Sequence, residues 1–212
     1  MKRDEALDRI LSLKVIAVIR MSEPEKLLSV TEAIRRGGVK AIEITLTTPG
    51  ALDAIRKMSS KKSPDTLIGA GTVLDAETAE AAIDAGAEFV VSPVTNFEMI
   101  QVCRRRDTFV APGAFTPTEI VAAWKQGADV VKVFPATSLG PKYFKDLKGP
   151  LPQIRLMPTG GVSIENAADF IKNGACCVAI GTALLDQKLI ERNDWDALTA
   201  KAAALVESLR GL

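Results

Sequence analysis

Eight short apolar runs, each rich in β-branched residues, recur along this chain with a helix-patterned stretch between each pair. They are Val15–Ile19, Ala41–Thr45, Thr66–Gly69, Glu88–Ser92, Thr108–Ala111, Val130–Phe134, Ile154–Met157 and Cys176–Ile180. Runs this short and this apolar read as strands buried on both faces, which is the pattern of a parallel sheet. Parallel neighbours need a crossover connection, and the intervening segments supply helices of the right length. Ser22-x-x-Glu25 has the form of a capping box and predicts a helix running to Arg36. Thr116-Pro117-Thr118-Glu119 offers an N-cap, a first-turn proline and a glutamate at the third position. Further helices are expected over 49–59, 75–85, 96–105, 142–147, 163–172 and 194–209.

Nothing in the spacing suggests a hairpin, and no change of composition marks a linker. Eight such units in 212 residues predict an α/β fold, a (β/α)₈ TIM barrel, with an extra N-terminal helix from Asp4 to Leu13 and one domain over 1–212. A doubly wound sheet is the alternative. Against it, Gly69-Ala70-Gly71 lacks the third glycine of a dinucleotide-binding turn, and there is no Walker loop.

Within this frame a few residues are out of place. Lys132 lies inside the apolar run Val130–Phe134. Side chains alternate across a strand, so Val131 and Val133 share one face, and Val130, Lys132 and Phe134 the other. A lysine there is costly unless it is paired, reaches water or gives up its proton. Two readings are open: an ammonium that snorkels to solvent, or a desolvated amine that attacks a carbonyl. Glu43 has the same character, sharing a face with Thr45 opposite Ile42 and Ile44. Arg20 closes the first strand and Thr72 follows the third. In a barrel the carboxyl ends of the strands form one rim, so Arg20, Glu43, Thr72 and Lys132 converge there. An ion-pair network filling the interior is the structural alternative. Thr159-Gly160-Gly161 and Gly181-Thr182 follow the last two strands, a common barrel position for a phosphate. Glycine lets backbone N–H groups approach the anion, although such turns also use glycine for backbone reasons alone.

The chain has no histidine, which removes Ser-His-Asp and Cys-His catalysis and argues against the usual His-rich catalytic zinc sites. Its net charge of +1 gives no footprint for nucleic acid or an anionic membrane. No apolar stretch approaches the ~20 residues of a membrane span. The charged opening Met1-Lys2-Arg3-Asp4-Glu5 is unlike a secretory signal. Three cysteines, two of them adjacent (Cys176, Cys177), form neither a disulfide framework nor a metal-ligand spacing, so a reduced cytoplasmic setting is expected. Trp124 and Trp195 fall in helical patterns as packing or interface residues, and Arg104-Arg105-Arg106 as a solvated helix end.

Five segments then carry a resemblance: Glu43-Ile44-Thr45-Leu46, Ile68-Gly69-Ala70-Gly71-Thr72-Val73, Ser92-Pro93, Lys132-Val133-Phe134-Pro135 and Pro158-Thr159-Gly160-Gly161-Val162. In this order and spacing the chain resembles the 2-keto-3-deoxy-6-phosphogluconate (KDPG) / 4-hydroxy-2-oxoglutarate (KHG) aldolases, from about residue 8 to the C-terminus. The resemblance implies a metal-free class I aldolase on a (β/α)₈ barrel, without a cofactor and usually homotrimeric. It acts on a small-molecule 2-keto acid phosphate. By position, Lys132 becomes the Schiff-base lysine and Glu43 the general acid/base. Arg20, Thr72, Pro93 and Phe134 hold the pyruvyl and carboxylate part, and Thr159, Gly160, Gly161, Gly181 and Thr182 hold the phosphate. Some members place an arginine four residues after the glutamate, where this chain has Thr47; others take it from the end of strand one, as Arg20 would be. The implied products are pyruvate with glyceraldehyde 3-phosphate, or with glyoxylate from the shorter KHG. The galactonate-derived epimer of KDPG, a phosphosugar isomerase and a non-catalytic phosphometabolite-binding barrel are the competing readings. An unperturbed lysine is neutral in only about 1 in 2,500 molecules at pH 7. Desolvation and Arg20 favour the free amine, whereas Glu43 opposes it.

Overall fold

The computed structural model describes residues 1–212, all but the Pro24 side chain. The first half runs Arg3–Leu13 (α1), Val15–Ile19 (β1), Leu27–Arg36 (α2), Ala41–Thr45 (β2), Ala51–Lys61 (α3), Leu67–Gly71 (β3), Ala76–Asp84 (α4) and Phe89–Val91 (β4). It continues with Phe97–Arg105 (α5), Phe109–Ala111 (β5), Gly113–Ala114 (β6), Pro117–Lys125 (α6), Val131–Val133 (β7) and Gly140–Lys148 (α7). Leu156–Pro158 (β8), Ala167–Lys172 (α8), Val178–Ile180 (β9), Gln187–Glu191 (α9) and Trp195–Ser208 (α10) complete it.

The strands form a 6-stranded sheet in the order β5-β4-β3-β2-β1-β9 and a 3-stranded sheet β6-β7-β8, with every pairing parallel. Backbone contacts join the two sheets at both edges. Asp129, just before β7, donates its N–H to the Val110 carbonyl of β5 at 3.0 Å, and Cys176 donates its N–H to the Leu156 carbonyl at 2.9 Å. Thr159 also bridges to Ala179. The expected fifth strand is present as β5, and a further two-residue strand, β6, which was not expected, follows it beyond Pro112, which has no N–H to give a ladder.

Burial divides the strand residues into two packed layers. Val15, Ala17, Ile19, Ile42, Ile44, Ile68, Val131 and Val133 belong to a cluster shared with the helices. Ile16, Ala41, Leu67, Phe89, Phe109, Val130, Met157 and Cys177 form a second cluster on the opposite strand face, to which α1 contributes Ala6 and Ile10. A sheet with a core on both faces explains why its strands are continuous apolar runs. Arg3 fixes α1 by pairing at 3.1 Å with Asp129, whose other oxygen accepts from the Val110 N–H at 2.9 Å. Trp124 and Trp195 pack partly buried against the helical layer, as expected.

Three local expectations are corrected. Ser22 caps no helix: Lys26 N–H bonds to Glu23 at 3.1 Å, a 3₁₀ turn forms over Pro24–Lys26, and α2 starts at Leu27. The helix expected from Pro49 begins at Ala51, because Gly50 is left-handed at φ 68 and cannot belong to it. Helix α9 was not expected; Asp186 caps it by accepting from the N–H groups of Lys188 and Leu189. The Thr116/Glu119 capping box is present as read, with Glu119 N–H to Thr116 Oγ1 at 3.3 Å and Thr116 N–H to Glu119 Oε2 at 2.7 Å.

Candidate active site

Strands β2 and β7 carry Glu43 and Lys132 on the face that holds the second, inner cluster. Glu43 follows Ala41 and precedes Thr45 by the strand period; Lys132 follows Val130 in the same way. Both are buried, Glu43 at 1% and Lys132 at 4% exposure, so neither snorkels to solvent. Neither carboxyl oxygen of Glu43 has a hydrogen-bond partner among the described residues. Burial pushes the Glu43 carboxyl above the usual carboxylate range, although Lys132 and Arg20 pull it down. Burial also pushes the Lys132 amine below the usual lysine range; Glu43 opposes this and Arg20 assists it. Desolvation leads in each case, and no hydrogen bond closes between the two side chains among the described residues. The Nζ of Lys132 lies 4.9 Å from the centre of the Phe134 ring.

Space for the Glu43 carboxyl comes from β3. A β-carbon built on Gly71 would overlap Oε1 of Glu43 and stand 2.5 Å from its Cδ. Thr72, the next residue, is left-handed at φ 58, an uncommon conformation for a β-branched residue and one found where structure over-determines the backbone.

Arg20, Phe134, Thr159, Gly160, Gly161, Gly181 and Thr182 line one cavity of about 320 Å³, so the two glycine turns and the strand-one arginine meet as expected. Gly160 and Gly161 have φ of 85 and 73, and a β-carbon on Gly161 would come within 2.7 Å of Thr137 Cα. The hydroxyl of Thr159, 7% exposed, has no partner among the described residues. Lys132, Glu43 and Thr72 are not on the wall of this cavity; Phe134, whose ring lies over the lysine amine, is. Pro93 lines a separate hollow of about 370 Å³ that Phe134 also borders.

Sequence reasoning passed over Val18, Met21, Val162, Ala179, Leu185, Gln187 and Ile190, which complete the first cavity. Val18 was readable from the alternation that ends at Arg20. Gln187 and Ile190 sit on the five-residue α9, too short for a periodic signal, and only Asp186 as a cap marked it. Thr47, where a second arginine was sought, is exposed, with its hydroxyl 3.0 Å from that of Thr45. Thr48 alongside accepts the Met21 N–H at 3.3 Å, tying the end of β2 to the turn that carries Arg20.

A family profile described as "KDPG and KHG aldolase" matches residues 7–201. The chain is 40% identical over 184 residues to the 2-dehydro-3-deoxy-phosphogluconate aldolase of Pseudomonas aeruginosa, covering 86% of this chain and 83% of that one. A KDPG aldolase from Legionella pneumophila, solved with pyruvate captured as a covalent carbinolamine intermediate, superposes with a TM-score of 0.86 at 29% identity, covering 94% and 97% of the two chains. A native KDPGal structure gives a TM-score of 0.86 at 33% identity, covering 93% and 95%.

Proposed function

This chain belongs to the KDPG and KHG aldolase family, and on that premise we propose how its own residues perform the reaction. It is a class I aldolase, a lyase that cleaves KDPG to pyruvate and glyceraldehyde 3-phosphate through a Schiff base. The observation that carries the residue assignment is the buried pair Lys132 and Glu43 on the inner strand face, with both Glu43 oxygens free of hydrogen-bond partners among the described residues. The free amine of Lys132 adds to the C2 carbonyl, and loss of water gives an iminium. That cation is an electron sink, so the C3–C4 bond breaks as the C4 hydroxyl loses its proton. Glu43, in its ionised form, accepts that proton directly or through a water, and returns a proton to C3 of the enamine. Hydrolysis of the new imine then releases pyruvate and restores the amine.

Arg20 pairs with the substrate carboxylate, Thr72 and Pro93 flank the pyruvyl part, and Phe134 covers the imine. The phosphate lies against Thr159, Gly160, Gly161, Gly181 and Thr182, where left-handed glycines leave backbone N–H groups unobstructed. KHG is cleaved by the same steps to pyruvate and glyoxylate. The likeness to the KDPGal structure favours a second substrate, the galactonate-derived epimer, and kcat/KM on the two epimers ranks them.

We read the two sheets as one closed (β/α)₈ ring over 1–212, supported by the backbone bonds that join β5 to β7 and β8 to β9. The enzyme is read as a cytoplasmic homotrimer. Val94, Phe97 and Phe115 lie exposed around the hollow that Phe134 borders, an apolar rim that another copy would cover. No helix among the described residues is long and apolar enough to cross a membrane. The deciding experiment is borohydride reduction in the presence of pyruvate, followed by peptide mass spectrometry. A reduced pyruvyl adduct on Lys132 is expected. An unmodified Lys132 in folded protein that still binds pyruvate would refute the assignment.

A further inference from the structure

We propose that Cys176 and Cys177 form a peroxide-sensitive dithiol, with Cys176 as the reacting sulfur and Cys177 as its resolving partner. The aldolase chemistry uses neither residue. Their sulfurs lie 3.8 Å apart even though the residues are adjacent in the chain. In a regular strand neighbouring side chains point to opposite faces. Here the backbone bends at Cys176, just before β9, which brings both sulfurs to one side. Cys176 is partly exposed, whereas Cys177 is fully buried in the inner cluster.

The surroundings separate the two thiols chemically. The contact with Cys177 favours the Cys176 thiolate most, burial opposes it, and the charges of Arg155 and Lys148 assist it. Burial and the neighbouring sulfur keep Cys177 protonated. The third cysteine is an internal control: Cys103 is buried on α5 with its thiol pushed up to about 12.

The chemistry balances with a hydroperoxide as oxidant. The Cys176 thiolate attacks the terminal peroxide oxygen, the O–O bond breaks, and the departing oxygen takes a proton from solvent. Cys176 is thereby oxidised by two electrons to a sulfenic acid. Cys177 sulfur then attacks the sulfenic sulfur, the S–O bond breaks, and hydroxide leaves with the Cys177 proton as water. With hydrogen peroxide the sum is two thiols and one peroxide giving one disulfide and two waters. A trans peptide holds adjacent Cα atoms ~3.8 Å apart, closer than disulfide-bonded residues usually lie, so a dithiol reductant reopens the ring readily.

The test treats the folded full-length protein with hydrogen peroxide and reads the products by intact mass and peptide mapping. Wild type is expected to lose two hydrogens within the peptide holding both cysteines, with full recovery in dithiothreitol. C177A should instead accumulate a dimedone-trappable sulfenic acid at Cys176. Folded wild type should also alkylate at Cys176 about tenfold or more faster than at Cys103, as a larger thiolate fraction requires. If Cys103 reacts first, the proposal fails. It fails equally if neither sulfur of the pair is oxidised, or if C176S still oxidises at Cys177. Circular dichroism of each variant confirms that the comparison is between folded proteins, and the dithiothreitol-reversible loss of two hydrogens in wild type decides the matter without any substitution.

Discussion

Replacing Gly71 with alanine tests the claim that an absent side chain on β3 positions the acid/base on β2. The new β-carbon would overlap Oε1 of Glu43 and approach its Cδ and Cγ to 2.5 and 2.6 Å, so the carboxyl must move by roughly an ångström. Gly71 is a strand residue without positive φ, so the backbone accepts alanine and the cost is steric alone. Overpacking of this kind costs about 1–3 kcal/mol of stability. A displacement of this size costs about 100-fold in rate, within the ~10²–10⁴ that a positioned acid/base supplies. Cleavage is followed by coupling pyruvate release to lactate dehydrogenase, stability by urea unfolding, and the amine by borohydride trapping with pyruvate. Gly71→Ala should lose kcat while Lys132 still traps pyruvate, because the lysine stands on a different strand. In a Glu43→Ala background the same substitution should cost nothing more, since no carboxyl remains to be displaced. A Gly71→Ala enzyme with wild-type kcat, or an equal rate penalty in the Glu43→Ala background, would refute the reasoning.

Other perturbations read the same site. Lys132→Met should abolish turnover while leaving phosphate-ligand affinity nearly intact, checked by calorimetry. Because burial lowers the Lys132 pKa, between the folded and unfolded values the unfolded chain binds more protons and wild type gains stability as pH rises; Lys132→Met should flatten that slope. Glu43→Gln has the opposite sign. The raised carboxyl pKa gives wild type a contribution that is present below the unfolded value and lost as pH climbs through the folded one. The loss is at most about 1.4 kcal/mol per pH unit, so urea titrations should show the Gln variant gaining relative stability from about pH 4.5 upward. Thr72→Gly should relieve the left-handed backbone, raising stability by about 1 kcal/mol in thermal melts while increasing KM. Phe97→Lys should shift the assembly toward monomer in light scattering, and an unchanged mass would remove the apolar rim as the contact face.

The strand and helix pattern was legible because it is local: β-branched runs, caps at Asp75, Asn96, Thr116 and Asp194, and glycines after helices act within a few residues. Alternation was enough to put Lys132 and Glu43 on the faces opposite Val131 and Ile42, and both proved to share the inner face. Where local signals compete, the reading slipped: Ser22 looked like a cap, but the Lys26–Glu23 turn delayed the helix, and α9 was too short to show a period. What periodicity could not carry is distance between residues far apart in the chain. That Gly71 makes room for Glu43, that Thr48 holds the Met21 turn, and that burial pushes the Glu43 pKa up and the Lys132 pKa down all follow from parallel register and from water being excluded on both sheet faces. Side-chain direction is a property of one strand, and desolvation is a property of everything packed around it. The sequence could therefore name the lysine and the glutamate, but their chemistry waited on the fold that buries them.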